Sequence, residues 1–352
     1  MSTIQDVARQ AGVSTSTVSN VLNGRTDRMG RETLALVMAA IAALSYRPNL
    51  AAQQLKTGHN PMLGLLVPSI ANPMYGYIAR EIETVAQQVY GHRVMLGNTY
   101  RSKEIETGFL DDLLSHGVRG VIMISSQLDE HHVDQGVRLG LVAVSYDRPA
   151  TPGASPSLDH VTVDNAEAAG MATRHLISRG HRRLAFVTAA GQTMSRRAKV
   201  KGFLAAAKAA GLADSAYVIE GSMQAGYGDS EMADLGRMLG AKIAADPRRP
   251  TGIVALNDLM AFGLMAGLRD AGLSVPTDVS VVGMDGLFLS ALMNPSLTTV
   301  RLPVPEMARK LVERVIGRMN DPSIKPDEFI FQPDLVERDS VAEPRQPARR
   351  QA

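Results

Sequence analysis

Thr15, Ser16, Ser19 and Asn20 put four short polar side chains into six consecutive positions, interleaved with Val18, Val21 and Leu22. At a helical period the apolar three form one stripe and the polar four are turned away from it. Hydroxyl and amide groups shown together on one helix face can hydrogen-bond base edges or phosphate oxygens in a major groove. Arg25, Arg28 and Arg31 follow, where contacts to a polyanion backbone are plausible by charge. A small docking domain with a solvated polar face satisfies the same spacing. Catalytic patterns are not found elsewhere: there is no G-x-G-x-x-G, no G-x-x-x-x-G-K-[ST] and no G-x-S-x-G. His131 and His132 adjoin, but neighbours on a helix do not face each other, so they make no metal pair. With no cysteine, disulfides, thiol catalysis and Fe–S clusters are excluded.

The elements that must carry the polar face are three short helices within the first 45 residues. Ile4, Val7, Ala8 and Ala11 recur at helical spacing behind a Thr3/Asp6 capping box, and Gly12 breaks the run. Ser14 can cap the second helix, which ends at Asn23-Gly24. Leu34, Val37, Met38, Ile41 and Leu44 give the third. Helix, short turn, helix is the helix-turn-helix unit. Residues 48–57 can form one more short helix and a linker. From 61 onward short apolar runs at 62–67, 94–97, 118–124, 141–145, 184–188, 252–256 and 279–283 alternate with helical stretches. These cover 75–90, 104–116, 166–179, 199–210, 229–245 and 259–271. That alternation predicts parallel sheets covered by helices, and the length of 352 residues allows two lobes.

Charge is divided in the same way. Residues 1–60 hold six Arg/Lys and three Asp/Glu, a net of +3, whereas the other 292 hold 31 and 32, a net of −1. A basic head points to a polyanionic partner. The first residues, MSTIQDVARQAG, show no basic start followed by an apolar run. No 18-residue apolar run exists either, so neither a signal peptide nor a membrane span is expected, and the cytoplasm is the expected location.

The strings TIQDVARQAGVSTSTVSNVLNG and YRPNLAAQQLKTG closely resemble the head of the LacI/GalR family of bacterial transcription regulators over residues 3–58. The resemblance implies base reading by Thr15, Ser16 and Asn20, and mostly backbone contacts by Ser14, Ser19, Asn23, Thr33, Tyr46 and Asn49. It implies a hinge helix carrying Ala52, Gln53 and Leu55, with Leu55 the wedge that opens a central minor-groove step. Packing of Leu55 against the following lobe is the alternative. The loop 25–30 departs from the family pattern, with Met29-Gly30 in place of Val-Ser.

LGLLVPSIANPMY, VTVDNAEAAGMATRHLISRGHRRLAFV, ALNDLMAFGLMAGLRDAGLSVPTDVSVVGMDG and PSLTTVRLP resemble the periplasmic-binding-protein-like effector domain of the same family. By position the resemblance implies a pocket formed by Ser69, Asn72, Tyr75, Asp147, Arg196, Arg197, Lys199, Met223, Asn257 and Asp285. The three basic residues are expected just before the helix holding Gly202-Phe203. Aspartates and asparagine share hydrogen bonds with hydroxyls, and cations hold ring oxygens or an acid group. Lys199 replaces a usual arginine, and Met223 stands where a stacking aromatic is common.

The expectation is therefore a small all-α helix-turn-helix head plus an α/β two-lobed periplasmic-binding-protein-like effector domain. Its boundaries are 1–46 for the DNA-binding head, 47–60 for hinge and linker, 61–340 for effector binding and dimerisation, and 341–352 for a disordered tail. The expected partners are double-stranded operator DNA, a small-molecule effector (sugar or sugar acid) and a second copy in a homodimer. A tetramer stays possible, no membrane is involved, and no cofactor or catalysis is expected. A purine-type corepressor, a sugar-binding protein without DNA function, and an enzyme on the same lobes are the alternatives.

Overall fold

The computed structural model describes residues 2–27, 29–47, 60–124, 131–150, 157–190, 193–222 and 230–345. The chain divides into two compact units, Met1–Asn60 and Pro61–Ala352. In the first, α1 (Ile4–Ala11), α2 (Thr15–Leu22) and α3 (Arg31–Ala43) enclose a small core of Val7, Ala8, Ala11, Val18, Val37 and Ala40. Ile41 packs against that core and Leu34 is half-buried, but Met38, assigned to the same stripe, is 54% exposed. Val37, Ala40, Ile41 and Leu44 share one face of α3, and Met38 lies one helical step of about 100° round from Val37.

The second unit holds two six-stranded sheets. The first sheet runs in the order β11-β5-β4-β3-β1-β2, formed by β1 (Met62–Val67), β2 (Arg93–Asn98), β3 (Gly120–Ile124), β4 (Val142–Tyr146), β5 (Asp159–Val163) and β11 (Glu328–Phe331). The other runs β12-β10-β9-β8-β6-β7, formed by β6 (Leu184–Ala189), β7 (Ala216–Gly221), β8 (Gly252–Ala255), β9 (Ser280–Asp285), β10 (Thr298–Arg301) and β12 (Asp334–Val336). Every pairing is parallel except β10 with β12. Each lobe repeats one strand order, so each has a point beside its first strand where the order reverses.

The helices that cover the first sheet are α4 (Pro73–Tyr90), α5 (Lys103–Ser115), α6 (His131–Arg138) and α11 (Val304–Asn320). Those of the second are α7 (Asn165–Ser178), α8 (Met194–Ala209), α9 (Ser230–Ala244) and α10 (Asp258–Asp270). The chain leaves the first lobe after β5, returns after β10 through α11, and ends with β12 on the second sheet. The strands β5, β7, β10, β11 and β12 and the helices α6 and α11 are additions to the sequence reading. Helix α11 buries Met307, Ala308, Leu311, Val312, Val315 and Ile316 at strict i, i+3/i+4 spacing. Its junction with β5 is ionic: the fully buried Asp159 accepts from Arg314 Nε at 2.8 Å, Arg318 Nη1 at 2.7 Å and Asp327 N at 3.0 Å.

Two points correct the sequence reading. The helix containing Gly202-Phe203 begins at Met194, not 199, because Thr193 Oγ1 accepts from Arg196 N at 3.2 Å and caps it. Residues 341–345 are docked, not loose. Val341 packs on the second core, Ala342 O accepts from Ser280 Oγ at 3.2 Å and lies 2.9 Å from His181 Nε2, and Arg345 pairs with Asp278. Residues 346–352 lie outside the described residues. Among the described residues no helix is long and apolar enough to cross a membrane.

Helices α9 and α10 pack backbone against backbone. A Cβ on Gly263 would meet Ala233 O and Arg237 N, and one on Gly267 would meet Arg237 O. Helix propensity alone favours alanine over glycine by about 1 kcal/mol, but overpacking of this kind costs about 1–3 kcal/mol. We expect Gly263→Ala to lower the unfolding midpoint. Gly108→Ala, on α5 with nothing within 4 Å of the new carbon, should raise it. Denaturant unfolding of both variants checks the two signs.

Candidate functional site

The polar face of α2 is built from both of its ends. Thr3 caps α1 reciprocally with Asp6, Gly12 takes the left-handed conformation at φ 64°, and the chain turns directly into α2. Ser14 accepts from Thr17 N at 3.2 Å and lies 2.7 Å from Ser16 Oγ, so its hydroxyl belongs to the N-cap. Val18 is fully buried, which turns Thr15, Ser16 and Asn20 outward, and Ser19 is half-buried. Asn23 Nδ2 donates to Ser19 O at 2.7 Å and closes the helix end. Arg25 and Arg31 are exposed, Thr33 is half-buried in the first turn of α3, and Tyr46 packs on the head core. Asn49, Ala52, Gln53 and Leu55 lie outside the described residues, as does Arg28.

In the second unit, a cleft with about 590 Å³ of atom-free space, partly open to solvent, is lined from both lobes. It brings together Asn72, Tyr75, Asp147, Arg196, Lys199, Asn257 and Asp285 of the sequence-derived set. Each follows the carboxyl end of a parallel strand, where the sheet edge opens. Asn72 caps α4 by accepting from Met74 N at 2.9 Å, and Asn257 caps α10 by accepting from Met260 N at 2.9 Å. Met74, Ile78, Tyr146, Leu256 and Leu302 supply apolar walls.

Two described members of the set, Ser69 and Arg197, do not line this cleft. Ser69 is buried, accepting from Ala71 N at 3.3 Å. Arg197 is exposed and lines a different groove with Lys201, Leu204 and Glu220, a groove that Arg196 also borders. One helical step of about 100° separates it from Arg196, and that step turns it outward. Met223 lies outside the described residues. Sequence reading missed Arg101, Asn165, Thr193 and Ser195, all of which line the cleft. A strand-end signal was available for Arg101, which follows β2, and for Thr193 and Ser195, which follow β6, whereas Asn165 follows β5, a strand the sequence reading did not find.

The aspartates are held in place rather than left mobile. Asp147 sits at φ 60° and accepts from Asn165 Nδ2 at 2.8 Å. Among the described residues five non-glycine positions have positive φ, and three of them, Arg101, Asp147 and Asp285, line the cleft. Backbone strain of this sort is kept where a site requires it. Beneath Asp285, the fully buried Asp258 accepts from Leu287 N at 2.8 Å, Ser290 Oγ at 2.7 Å and Thr299 Oγ1 at 2.6 Å. Burial pushes the Asp258 carboxyl up from its ordinary value, and those three donors oppose the shift. Burial, and then the neighbouring Asp258 charge, push Asp285 well above the usual carboxylate range, with Lys199 opposing. Lys199 Nζ donates to Leu256 O at 3.3 Å. Burial, followed by the charge of Arg101, pushes the Arg196 guanidinium down from its ordinary value.

The Asp285 shift sets a pH signature. A carboxyl group whose folded value lies above its unfolded value of about 3.9 contributes stability below about pH 4 and loses it as pH rises through the folded value. Asp285→Asn removes that loss, so its Tm relative to the parent should climb between pH 4 and pH 8. His160, His175 and His181, each pushed down by burial, tilt stability the other way and cancel in the difference. Thermal unfolding of both proteins at matched pH checks this, and a flat difference overturns it.

The two sites are matched separately in known proteins. The profile described as bacterial regulatory proteins, lacI family, matches residues 3–49, and that of a periplasmic binding protein-like domain matches residues 173–341. The HTH-type transcriptional repressor PurR of Aliivibrio fischeri is 31% identical over 97% of this chain and 99% of its own length. The ribose operon repressor of Escherichia coli is 32% identical over 97% of this chain and 100% of its own. A crystal structure of the lac repressor dimer bound to operator and the anti-inducer ONPF superposes with a TM-score of 0.83 at 25% identity, covering 97% of this chain and 99% of that one. The head and the two-lobed body thus align together along nearly the full length of these relatives. The chain belongs to the LacI family, DNA-binding transcription regulators and not enzymes.

Proposed function

We propose that this protein is a cytoplasmic repressor that binds a near-palindromic operator as a homodimer and responds to a sugar-class effector in the cleft. The observation that carries the DNA half is the outward face of α2: Thr15, Ser16 and Asn20 stand exposed on a helix fixed by the burial of Val18. In this reading these three side chains meet base edges. Ser14, Ser19, Asn23, Thr33, Tyr46 and Asn49 seat the head on phosphates, with help from Arg25 and Arg31. Residues 1–46 are the reading head, and 47–60 form a hinge in which Ala52 and Gln53 follow the minor groove and Leu55 unstacks a central step. Residues 61–340 hold the effector and the second copy. The lac repressor dimer bound to operator supports the DNA and dimer parts.

The cleft supports a hydroxyl-rich ligand. Its acceptors and amides (Asn72, Asp147, Asn165, Asn257, Asp285) surround apolar walls and outnumber the two rings, Tyr75 and Tyr146. That balance favours a polyol ring over a flat base. The ribose operon repressor among the relatives agrees with a sugar. Occupancy of the cleft changes how the two lobes sit, and so biases the hinge between folded and frayed states.

The test uses operator fragments enriched from genomic DNA by the full-length protein. Asn20→Ala should lose about 1–3 kcal/mol of preference for the enriched fragment over scrambled DNA. Arg31→Ala should weaken both alike and lower the salt slope by about one. Leu55→Ala should lose operator preference and keep nonspecific binding. Fluorescence anisotropy across a salt series separates the three, and an Asn20→Ala protein with unchanged preference removes α2 from base reading.

A further inference from the structure

The second sheet ends at β7, and that edge is open. The strand pairs with β6 alone. Gly221 O accepts from Ala190 N at 2.6 Å on the β6 side, so by the alternation of a strand Val218 and Glu220 direct their N–H and C=O groups outward. Among the described residues nothing bonds to those outward groups. A bare edge of this kind is a template for one more strand. It is also flanked by a groove on each face. On the α8 side, Val200 and Leu204 line a groove with about 870 Å³ of atom-free space, together with the exposed Arg197, Lys201 and Glu220. On the α9 side, Tyr217, Ile219 and Ile243 line one of about 720 Å³, together with the exposed Lys242 and Asp246. Leu204 is 41% exposed and Tyr217 40%, so each groove offers apolar surface to a visitor. An added strand turns successive side chains to opposite faces, and its alternate residues would enter the two grooves in turn.

Charge decides which strand fits. Arg197 and Lys201 stand on the α8 side and Lys242 on the α9 side, while Arg183 and Arg248 lie near enough to act on the Tyr217 hydroxyl. Those five exposed cations stand against two exposed acids, Glu220 and Asp246. A second copy pairing through the same edge would bring like charge against like charge. An acidic strand meets the opposite sign on both faces. We propose that the β7 edge binds an extended segment of another protein, with acidic and apolar residues intermixed, which adds to the second sheet as a further strand. Main-chain hydrogen bonds to Val218 and Glu220 hold it, and the two grooves with their cations select its side chains. This surface belongs to neither the head nor the cleft, and it stands whatever effector the cleft takes.

The experiment is selection of a random dodecapeptide library, displayed on phage, against the full-length protein, followed by fluorescence anisotropy of the enriched peptides. Those peptides should share a run of about five residues that mixes Asp or Glu with Val, Ile, Leu or Phe and lacks proline. Val218→Pro removes one outward N–H and should weaken their binding about tenfold or more. The double variant Lys201→Glu with Lys242→Glu should weaken it by about as much. Thermal unfolding shows whether each variant is folded. If Val218→Pro is not, the charge-reversal variant, altered only at exposed side chains, decides alone. Failure to enrich any peptide overturns the proposal. So does a set of peptides without acidic residues, or one that binds the folded variants as tightly as the parent. Sedimentation velocity supplies the remaining check: a lower oligomeric state for a folded Val218→Pro protein means that a second copy occupies the edge, and it overturns the choice of occupant.

Discussion

A parallel strand brings its carboxyl end, and the helix that follows brings its N-terminus, to the same edge of the sheet. Both lobes of this protein obey that constraint with the same strand order. Arg101 follows β2, Asp147 follows β4, Asn165 follows β5, Thr193 and Arg196 follow β6, Asn257 follows β8, and Asp285 ends β9. Residues far apart in the chain therefore meet without any long excursion. Several of them are also helix caps, so the same amide or hydroxyl that starts a helix forms part of the wall of the cleft. Such caps are held by backbone N–H groups, and the cleft is correspondingly preorganised before any ligand arrives.

Two buried aspartates hold this arrangement near the places where the chain passes between lobes. Asp258 gathers Leu287 and Ser290, from the segment joining β9 to β10, and Thr299 of β10 itself, before the return crossing. Asp159 gathers Arg314, Arg318 and Asp327, and so fixes α11 and the start of β11 once the chain is back in the first lobe. A buried carboxylate is expensive to desolvate and is tolerated when hydrogen bonds saturate it. Here the saturation falls next to the crossings. The lobes can then move as bodies about short connections, while the loops that carry cleft residues keep their shape.

The sequence revealed the elements whose own residues advertise them. Capping boxes, Gly12 and the apolar run 62–67 lie within one local window, and so does the buried stripe through Val18. The elements it concealed depend on partners elsewhere. Strand β7 is a half-exposed edge with a mixed pattern, and β11 and β12 each find a neighbour more than 30 residues away. The start of α8 was hidden because Arg196, Arg197 and Lys199 break the apolar period, although Thr193 caps it. Positional likeness found seven of the cleft residues, yet it could not separate Arg196 from Arg197. That distinction depends on the phase of a helix whose start was misplaced. Arg101 escaped for a different reason: no motif marks it, and only the strand-end rule places it.

The head works under the opposite constraint from the body. Its core is six buried apolar side chains, three of them alanine, and a domain this small stands near the limit of independent stability. The exposed face of α2 offers hydroxyls and one amide on short stems, which under the proposed function reach base edges only when the helix sits deep in the groove. Ser14 and Asn23 already spend hydrogen bonds on the ends of α2. One such head can supply only modest affinity, and most of it must be charge neutralisation that ignores sequence. Specificity then has to come from joining two heads at a fixed spacing, where the second contact is made at high effective concentration. A weak head is thus a requirement of control: if one copy bound tightly by itself, a change in the effector cleft would have nothing to release.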